Sequence, residues 1–398
     1  MYAWAGEKSI VSFFFEETIM PPRFCCVSAP LLGLLLLAAI PSASAAIHAE
    51  HGFGEKDGNG SIASDLNPAG LVAGIILEEE GRRRAVTYQH GRIRELGTLG
   101  GDEGFTKAIN MHGVVVGSAQ TASGAWHAFR YDAAGGMRDL GTLGGSSSYA
   151  TAITRGGQVA GYADTSGGDF HAFVTKADHS LQDLGTLGGA SSYASGLNSH
   201  GVAVGTAQRG DGYRRAFVYR PGTGMQEIGT LPGGRISSAT AINDAGLVVG
   251  ASETEKRRWH AFAWDGKRML DLGAMIGQGD SYATAVNAAG HVVGSVSING
   301  FEPMTFVYKD GVMTVRRRDD GLYLTNKITD AGLVVGAVYT GHKFQAFAVP
   351  SQASPAPPRR NPLDWLLLSV IAAACGAALF RARRQLSAGL LGQRRHLL

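Results

Sequence analysis

The sequence predicts an all-β fold, a seven-bladed β-propeller built from repeats of about 44 residues. The first observation is a motif, DLGTLGG or a near variant, whose leucine or isoleucine recurs at positions 96, 140, 184, 228 and 272, a constant step of 44 residues. The second is that each repeat contains four short segments with the composition of β-strands. The third is that no amphipathic helical period occurs between Ala46 and Val349.

The four segments follow one another in the same order along the repeats. The first is similar to SYATAIN, the second to GLVVG, the third is the triplet His-Ala-Phe with a following aromatic residue, and the fourth leads into the LGTLGG connection. The last glycines of the second segment are Gly74, Gly117, Gly161, Gly205, Gly250, Gly294 and Gly336. Each segment is rich in β-branched or aromatic residues and is bounded by Gly, Asn or Asp, which is typical of strands separated by turns.

The turn between the first two segments predicts a tight hairpin. It has Asn or Thr first and Gly fourth in all seven copies, as in Asn243–Gly246 and Thr329–Gly332. An Asn or Thr side chain accepts a backbone N–H at the start of such a turn, and Gly adopts the left-handed conformation of a type I turn with a bulge. Four strands per repeat favour a propeller. A β-solenoid is the alternative, although its coils usually need fewer residues.

The strand count predicts how the ring closes. Segments one to three occur seven times but the fourth occurs six times, because Pro350 ends the last repeat early. We expect the missing strand to come from the mature N-terminus, about Ala46–Phe53, and to complete the last blade of a domain that spans residues 46–349.

The charge and cysteine content exclude several functions. Between residues 46 and 349 there are 27 Lys+Arg and 29 Asp+Glu, a balance of 27 − 29 = −2, which argues against a nucleic-acid partner. The three cysteines, Cys25, Cys26 and Cys375, all lie outside this region, so it has neither a disulfide framework nor a thiolate metal site. No cofactor is expected.

The N-terminal 45 residues predict a secretory signal peptide. Arg23 is followed by the apolar segment Ala29–Ile40, and small residues predict cleavage near Ala45 and Ala46. The first 19 residues contain three acidic side chains, which do not suit a signal peptide, so we expect translation to start at Met20.

The C-terminal residues predict a membrane anchor. A Pro-rich linker, residues 350–362, precedes the 18 mostly apolar residues Leu363–Phe380, which reach about 27 Å as a helix. Arg381, Arg383 and Arg384 follow at once and predict a cytoplasmic tail, residues 381–398. The sequence therefore places the repeat domain at the cell envelope, on the extracellular face of a single transmembrane helix.

The three repeated motifs together resemble the HAF repeat, a family of bacterial repeats expected outside the cytoplasm. The resemblance covers roughly Ser61–Val349, and the triplet is intact at His127, His171 and His260. It implies location and fold, and no established catalytic activity. The C-terminal layout is similar to sorting signals of the PEP-CTERM type but lacks their Pro-Glu-Pro motif. Retention of the helix and its removal by a sorting enzyme both stay open.

The repeat region shows no catalytic constellation, and we predict that the triplet histidines make structural hydrogen bonds and hold no metal. LGTLGG lacks the Lys-Ser/Thr ending of a phosphate-binding loop and is interpreted as a connection between repeats. Trp126, Phe170, Trp259 and Phe344 directly precede the triplet in four repeats and form a candidate binding surface for sugar stacking, with packing between blades as the alternative.

The predicted function is therefore binding or interaction at the cell envelope, with an envelope glycan or protein as the partner. A propeller-fold glycan lyase or hydrolase is the alternative. Such an enzyme needs acidic or His residues that are unique to particular blades and converge on one end of the channel, and the repeats are too similar to show any.

Overall fold

The computed structural model describes residues 60–78, 81–277, 279–297, 304–316, 324–339 and 344–351, which belong to one compact unit ending at Ser351. The predicted signal peptide with its cleavage site at Ala45 and Ala46, the closing strand Ala46–Phe53, the helix Leu363–Phe380 and the basic tail lie outside the described residues. The repeat domain extends one residue past its predicted end, because its last strand includes Pro350.

The described residues form 27 strands and one short helix. Blades 1 to 3 contain β1 (Gly60–Leu66), β2 (Val72–Leu77), β3 (Arg83–Gln89), β4 (Arg92–Glu95), β5 (Gly100–Ile109), β6 (Val115–Thr121), β7 (Trp126–Asp132), β8 (Gly136–Asp139), β9 (Gly144–Ile153), β10 (Val159–Thr165), β11 (Phe170–Thr175) and β12 (Leu181–Asp183). Blades 4 and 5 contain β13 (Gly188–Leu197), β14 (Ala203–Arg209), β15 (Arg214–Arg220), β16 (Gly224–Gly229), β17 (Ser237–Ile242), β18 (Val248–Glu253), β19 (Trp259–Trp264) and β20 (Met269–Asp271). After α1 (Gly273–Ile276), blades 6 and 7 contain β21 (Asp280–Val286), β22 (Val292–Ser297), β23 (Met304–Lys309), β24 (Val312–Arg316), β25 (Leu324–Ile328), β26 (Leu333–Tyr339) and β27 (Phe344–Pro350).

The strands are arranged as a seven-bladed propeller, as predicted. Six sheets have four strands and the seventh has three among the described residues, and in every sheet consecutive strands pair antiparallel. The first strand of each blade contacts the first strand of the next, and β25 of blade 7 contacts β1 of blade 1. The sheets therefore return to meet the first one, which a β-solenoid would not do.

The hairpin turns have the predicted geometry and also connect the blades. The turn glycines, such as Gly113, have positive φ, and the side-chain oxygen of Asn110 accepts backbone N–H groups within its own turn. The same asparagine donates from Nδ2 to the carbonyl oxygen of Thr154 in the next blade, at 3.3 Å. Asn67, Asn198, Asn243 and Asn287 make the equivalent bond at 3.0–3.3 Å. Threonine takes this place at Thr154 and Thr329 and has no amide to donate.

The glycine that ends the GLVVG segment allows a bulge in the neighbouring strand. In every blade the first strand bulges in the middle of its Ala-Thr-Ala segment, for example at Thr151. A β-carbon on Gly161 would overlap the carbonyl oxygen of Tyr149, just before that bulge. This glycine is therefore required by close approach of two backbones, because its φ is not positive.

Seven hydrophobic clusters hold the ring together, and each contains residues from two neighbouring blades. We call these interfaces joints. The phenylalanine of each triplet packs into the joint with the preceding blade and is at most 2% exposed. The six residues are Phe129, Phe173, Phe217, Phe262, Phe306 and Phe347. Burial of each such ring contributes roughly 2–3 kcal/mol relative to exposure.

A buried serine links the blades near the start of the first strand. Ser192 Oγ accepts the backbone N–H of Ala172 in the preceding blade at 2.8 Å and donates to the Gly185 carbonyl at 2.5 Å. Ser148, Ser237 and Ser281 accept the equivalent N–H, and Ser61 accepts that of Ala346 at 3.1 Å across the closing joint. The closing joint between blades 7 and 1 thus uses the same bond as the others.

One prediction about secondary structure was wrong. The connection after blade 5, LGAMIG, forms the four-residue helix α1, where no helix was expected. This connection has lost the Thr and the Gly-Gly of LGTLGG. The connection after blade 4, IGTLPGG, is equally long before its buried serine but keeps these residues and forms no helix. Within the described ranges, no helix combines the length and apolarity needed to cross a membrane.

Candidate functional site

The two repeated motifs meet in a single interaction between the third and fourth strands of five blades. In five blades the first residue of the triplet pairs with the acidic residue that precedes LGTLGG, at 2.7–3.0 Å. The pairs are Arg84 with Glu95, His127 with Asp139, His171 with Asp183, Arg215 with Glu227 and His260 with Asp271. Histidine is therefore matched with aspartate, and the longer arginine with glutamate.

The three triplet histidines make hydrogen bonds to aspartates, as the sequence analysis expected of them. Asp139 also accepts the backbone N–H of Gly141 at 2.7 Å and so fixes the start of the connection to the next blade. Blade 6 has Met304 in the triplet position and Val315 in the acidic position, so both members of the pair become apolar together. In the part of the chain that the structure describes, no group of three or more His, Cys, Asp or Glu residues could hold a metal ion.

Half-buried aromatic side chains of blades 2 to 4 form the candidate recognition surface, which we call the aromatic row. Its members are Phe105, Trp126, Tyr149, Tyr162, Phe170 and Tyr193. The rings of Phe105 and Trp126 lie 5.4 Å apart. Tyr162 is within 5.1–5.5 Å of Tyr149, Phe170 and Tyr193, the last of which belongs to the next blade. Such offset and edge contacts are favourable aromatic geometries.

Arginines lie at both ends of the aromatic row. The guanidinium of Arg83 lies 5.3 Å from the Phe105 ring and 5.0 Å from the Trp126 ring, and it pairs with Glu103 at 3.0 Å. At the other end, Arg214 lies over Tyr193 at 5.6 Å.

Burial sets the protonation of the tyrosines in the row. Loss of solvent raises the pKa of Tyr162 well above its usual value near 10, and the neighbouring Tyr149 and Tyr193 raise it further. Burial and the Asp164 carboxylate raise the pKa of Tyr149, although Arg83 opposes them. Both hydroxyls therefore stay protonated at neutral pH.

The structure separates the four aromatic residues that the sequence selected. Trp126, Phe170, Trp259 and Phe344 are the first residues of the third strands of blades 2, 3, 5 and 7, and all are half-buried. Trp126 and Phe170 belong to the aromatic row. Trp259 instead stacks on Tyr282 of blade 6, with ring centroids 6.0 Å apart.

Sequence reasoning missed the ring partners of these residues. Phe105, Tyr149, Tyr193 and Tyr282 occupy one repeated position, just before the Ala-Thr-Ala segment of the first strand. A search for large residues at equivalent positions would have found them. Tyr162 is different, because the equivalent second-strand residues are small or aliphatic, such as Ser118, Thr206 and Ala251.

A second polar feature lies on the innermost strands. Lys107 is the bulge residue of blade 2, where the other blades have Ser, Thr or Asn. Its side chain is exposed to solvent, but many protein atoms surround it. Loss of solvation lowers the pKa of Lys107, and the Asp65 carboxylate raises it. Asp65 accepts the backbone N–H of Ile109 at 3.2 Å and pairs with Lys327 at 3.8 Å. These charges connect the inner strands of blades 7, 1 and 2.

Solved structures share the propeller architecture. The chain is similar to the β-propeller domain of the Trilobed protease from Pyrococcus furiosus, a domain described as having an open velcro topology, with a TM-score of 0.53 and 10% identity over 76% of this chain and 99% of that one. This likeness shows the fold alone.

Two further structures show weaker similarity. TolB from Acinetobacter baumannii gives a TM-score of 0.42 at 13% identity over 65% of this chain, which spans 64% of TolB. Puromycin hydrolase gives 0.48 at 13% identity over 75% of this chain, which spans 55% of the hydrolase. Comparison with protein-family models and with curated proteins found no match to the chain.

Proposed function

We propose that this protein is an exported repeat scaffold that binds a glycan at the cell envelope through the aromatic row of blades 2 to 4. The observation that carries the proposal is the concentration of six half-buried rings on three adjacent blades. Packing of the blades does not by itself require rings at this position. Blades 5 and 7 have Ser238 and Leu324 where blades 2 to 4 have rings.

The charges of the row favour a neutral sugar over an acidic one. Arg83 is paired with Glu103, and Asp164 accepts a hydrogen bond from the Ser146 hydroxyl at 3.0 Å. A carboxylate or sulfate ligand would have to compete with Glu103 for the arginine. A pyranose ring needs only apolar C–H faces against the rings and hydroxyl partners such as Tyr149 and Tyr162, both of which the row provides.

The sequences near the two ends support the proposed location. The proposed signal peptide, the resemblance to HAF repeats and the apolar segment Leu363–Phe380 support export followed by anchoring, with the linker holding the propeller outside the membrane. Fractionation of cells that express the full chain, with and without residues 363–398, tests this part. The full chain should be found in the membrane fraction and the truncated chain in the soluble exported fraction. The same distribution for both would contradict anchoring.

Two tryptophans at equivalent positions allow a matched test of the binding surface. Trp126 lies in the aromatic row, whereas Trp259 stacks on Tyr282 outside it. We expect Trp126→Ala to weaken binding to envelope polysaccharide about five- to thirtyfold in a titration, since loss of a stacking ring removes roughly 1–2 kcal/mol. Trp259→Ala should retain the affinity. Equal affinities for the wild type and both variants, or no binding by the wild type, would contradict the proposal.

A further inference from the structure

The first strands of the seven blades enclose a central space. First strands of neighbouring blades contact one another at all seven joints, including β25 with β1, so they form the innermost layer of the propeller. We propose that this central space binds a small, singly charged carboxylate at Lys107, the bulge residue of blade 2. The proposal goes beyond glycan binding and does not depend on it, because the bulge residues carry it and not the aromatic row.

Bulge residues of four blades donate a side-chain hydrogen bond across the joint to the next blade. The acceptor is each time the carbonyl oxygen of the residue directly before the bulge residue of that next blade. The bonds run from Ser64 to Thr106, from Thr151 to Ala194, from Thr240 to Ala283 and from Asn326 to Ala63, at 2.8–3.0 Å. These short side chains therefore use their polar groups within the layer of first strands.

Lys107 does not follow this rule. The equivalent acceptor in blade 3 is the carbonyl oxygen of Ala150, directly before the bulge residue Thr151. Among the residues that the structure describes, the Lys107 ammonium has neither a hydrogen bond nor an ion pair. Its side chain is exposed to solvent although many protein atoms surround it. The ammonium therefore lies in the space that the first strands enclose, with donors to offer.

The charges near Lys107 favour a ligand with a single negative charge. Asp65 of blade 1 pairs with Lys327 of blade 7 at 3.8 Å, and its carboxylate acts on Lys107. With Lys107 protonated, the two lysines and the aspartate have a balance of 2 − 1 = +1. One carboxylate neutralises this charge. Phosphate carries more than one negative charge at neutral pH, so the Asp65 carboxylate repels it more strongly.

The Asp65 carboxylate is itself unable to take the place of such a ligand. It accepts the backbone N–H of Leu66 at 2.8 Å and that of Ile109 at 3.2 Å, and these two bonds fix it in the joint between blades 1 and 2. Its effect on Lys107 is therefore exerted at longer range than a hydrogen bond. A bound carboxylate would make the charge-assisted hydrogen bond that Asp65 does not make.

A ligand at Lys107 also offsets the loss of solvation around its ammonium. This loss lowers the pKa of Lys107, which means that the surrounding protein disfavours the charged form. An anion within hydrogen-bond distance stabilises that form. The other six bulge residues are Ser, Thr or Asn, so the first strands offer one cation at this position and predict one ligand per chain.

Protection of Lys107 from a small amine reagent tests the site in the full chain. Formaldehyde with cyanoborohydride methylates accessible amines, and mass spectrometry of the peptides gives a rate for each lysine. At constant ionic strength, acetate should slow modification of Lys107 about tenfold once its concentration is about ten times the dissociation constant. Modification of the exposed Lys176 in blade 3 should be unchanged. Acetamide, an uncharged analogue of acetate, should protect neither lysine.

Two variants separate binding from folding. Threonine is the bulge residue of blades 3, 5 and 6, so Lys107→Thr should fold and should lose the rise in thermal midpoint that acetate gives the wild type. Lys107→Arg keeps the charge and should keep that rise. Circular dichroism checks that both variants are folded.

Three results would overturn the proposal. The first is equal protection of Lys107 and Lys176, or no protection of Lys107. The second is the same acetate dependence of the midpoint in the wild type and in Lys107→Thr. The third is stronger protection of Lys107 by inorganic phosphate than by acetate, which would contradict the assignment to a singly charged carboxylate.

Discussion

Six joints of the ring and the closing joint solve the same packing problem with different residues. In the six, a triplet phenylalanine fills the joint opposite a small or medium second-strand residue, as Phe217 does beside Ala207 in the joint between blades 3 and 4. In the closing joint the triplet residue is Val86, and the second-strand residue equivalent to Ala207 is Ile76. The smaller residue in one strand is thus accompanied by a larger one in the next.

This difference indicates that more than one combination of side chains can fill the volume of a joint. Protein interiors are close-packed, so a core position can change if a neighbour changes in the opposite sense. The closing joint also has polar connections that link distant parts of the chain. Asn326 donates to the Ala63 carbonyl at 2.8 Å, and Lys327 pairs with Asp65 at 3.8 Å. The first and last blades are thereby fixed together without an identical motif.

We expect the largest effect from truncation of the phenylalanine in one of the six joints that contain it. Phe217→Ala should lower the free energy of unfolding by about 3–5 kcal/mol, because a fully buried ring leaves a cavity. Val86→Ala should lower it by about 2 kcal/mol, because two methyl groups are removed at the closing joint. Urea denaturation followed by circular dichroism gives both values. Equal losses for the two variants would mean that the joints are energetically equivalent in spite of their residues.

An exchange of residues between joints should have the next largest effect. Val86→Phe should cost about 1–3 kcal/mol by overpacking against Ile76, and Val86→Phe with Ile76→Ala should cost less than the sum of the single changes. The reciprocal pair, Phe217→Val with Ala207→Ile, is the matched control and should show coupling of the same sign. Strictly additive free energies in both cycles would contradict volume compensation.

The repeat pattern predicted the strands and the ring because both depend on local turn chemistry and period. Gly113 and Asn110 illustrate this, since their roles follow from a four-residue turn. The pairing of His127 with Asp139 could not be deduced from one repeat, although the matched exchange of His/Asp for Arg/Glu between repeats contains the information. The sequence selected Trp126 and Phe170 for the aromatic surface but not their ring partners on the first strands, such as Phe105 and Tyr149.

Residues that occur in one blade only could not be interpreted from the repeat pattern. Tyr162 has no aromatic equivalent in the other blades, and its contacts with Tyr149, Phe170 and Tyr193 depend on how two blades meet. The charge of Lys107 on the first strand of blade 2 is likewise a property of one blade. Such single departures from a repeat appear in the sequence as variation, and only the three-dimensional arrangement gives them neighbours.

The smallest effect we expect is a dependence of stability on alkaline pH. It should come from the joint between blades 3 and 4 and not from the closing joint. Burial raises the pKa of Tyr162, whereas the equivalent residue of blade 1 is Ile75, which does not ionise. A raised pKa in the folded state means that the unfolded chain loses its proton first, so stability is retained below pH 10 and falls as the pH rises above it.

Denaturation midpoints between pH 9 and 11 should therefore fall less steeply for Tyr162→Phe than for the wild type. Burial also raises the pKa of Tyr282. The stability of Tyr162→Phe should therefore still fall with rising pH, but less steeply. Phe170→Leu changes the same cluster without removing an ionisable group and should keep the wild-type slope. If Tyr162→Phe and Phe170→Leu give the same slope, the alkaline sensitivity does not originate at this joint, and the two joints differ in packing alone.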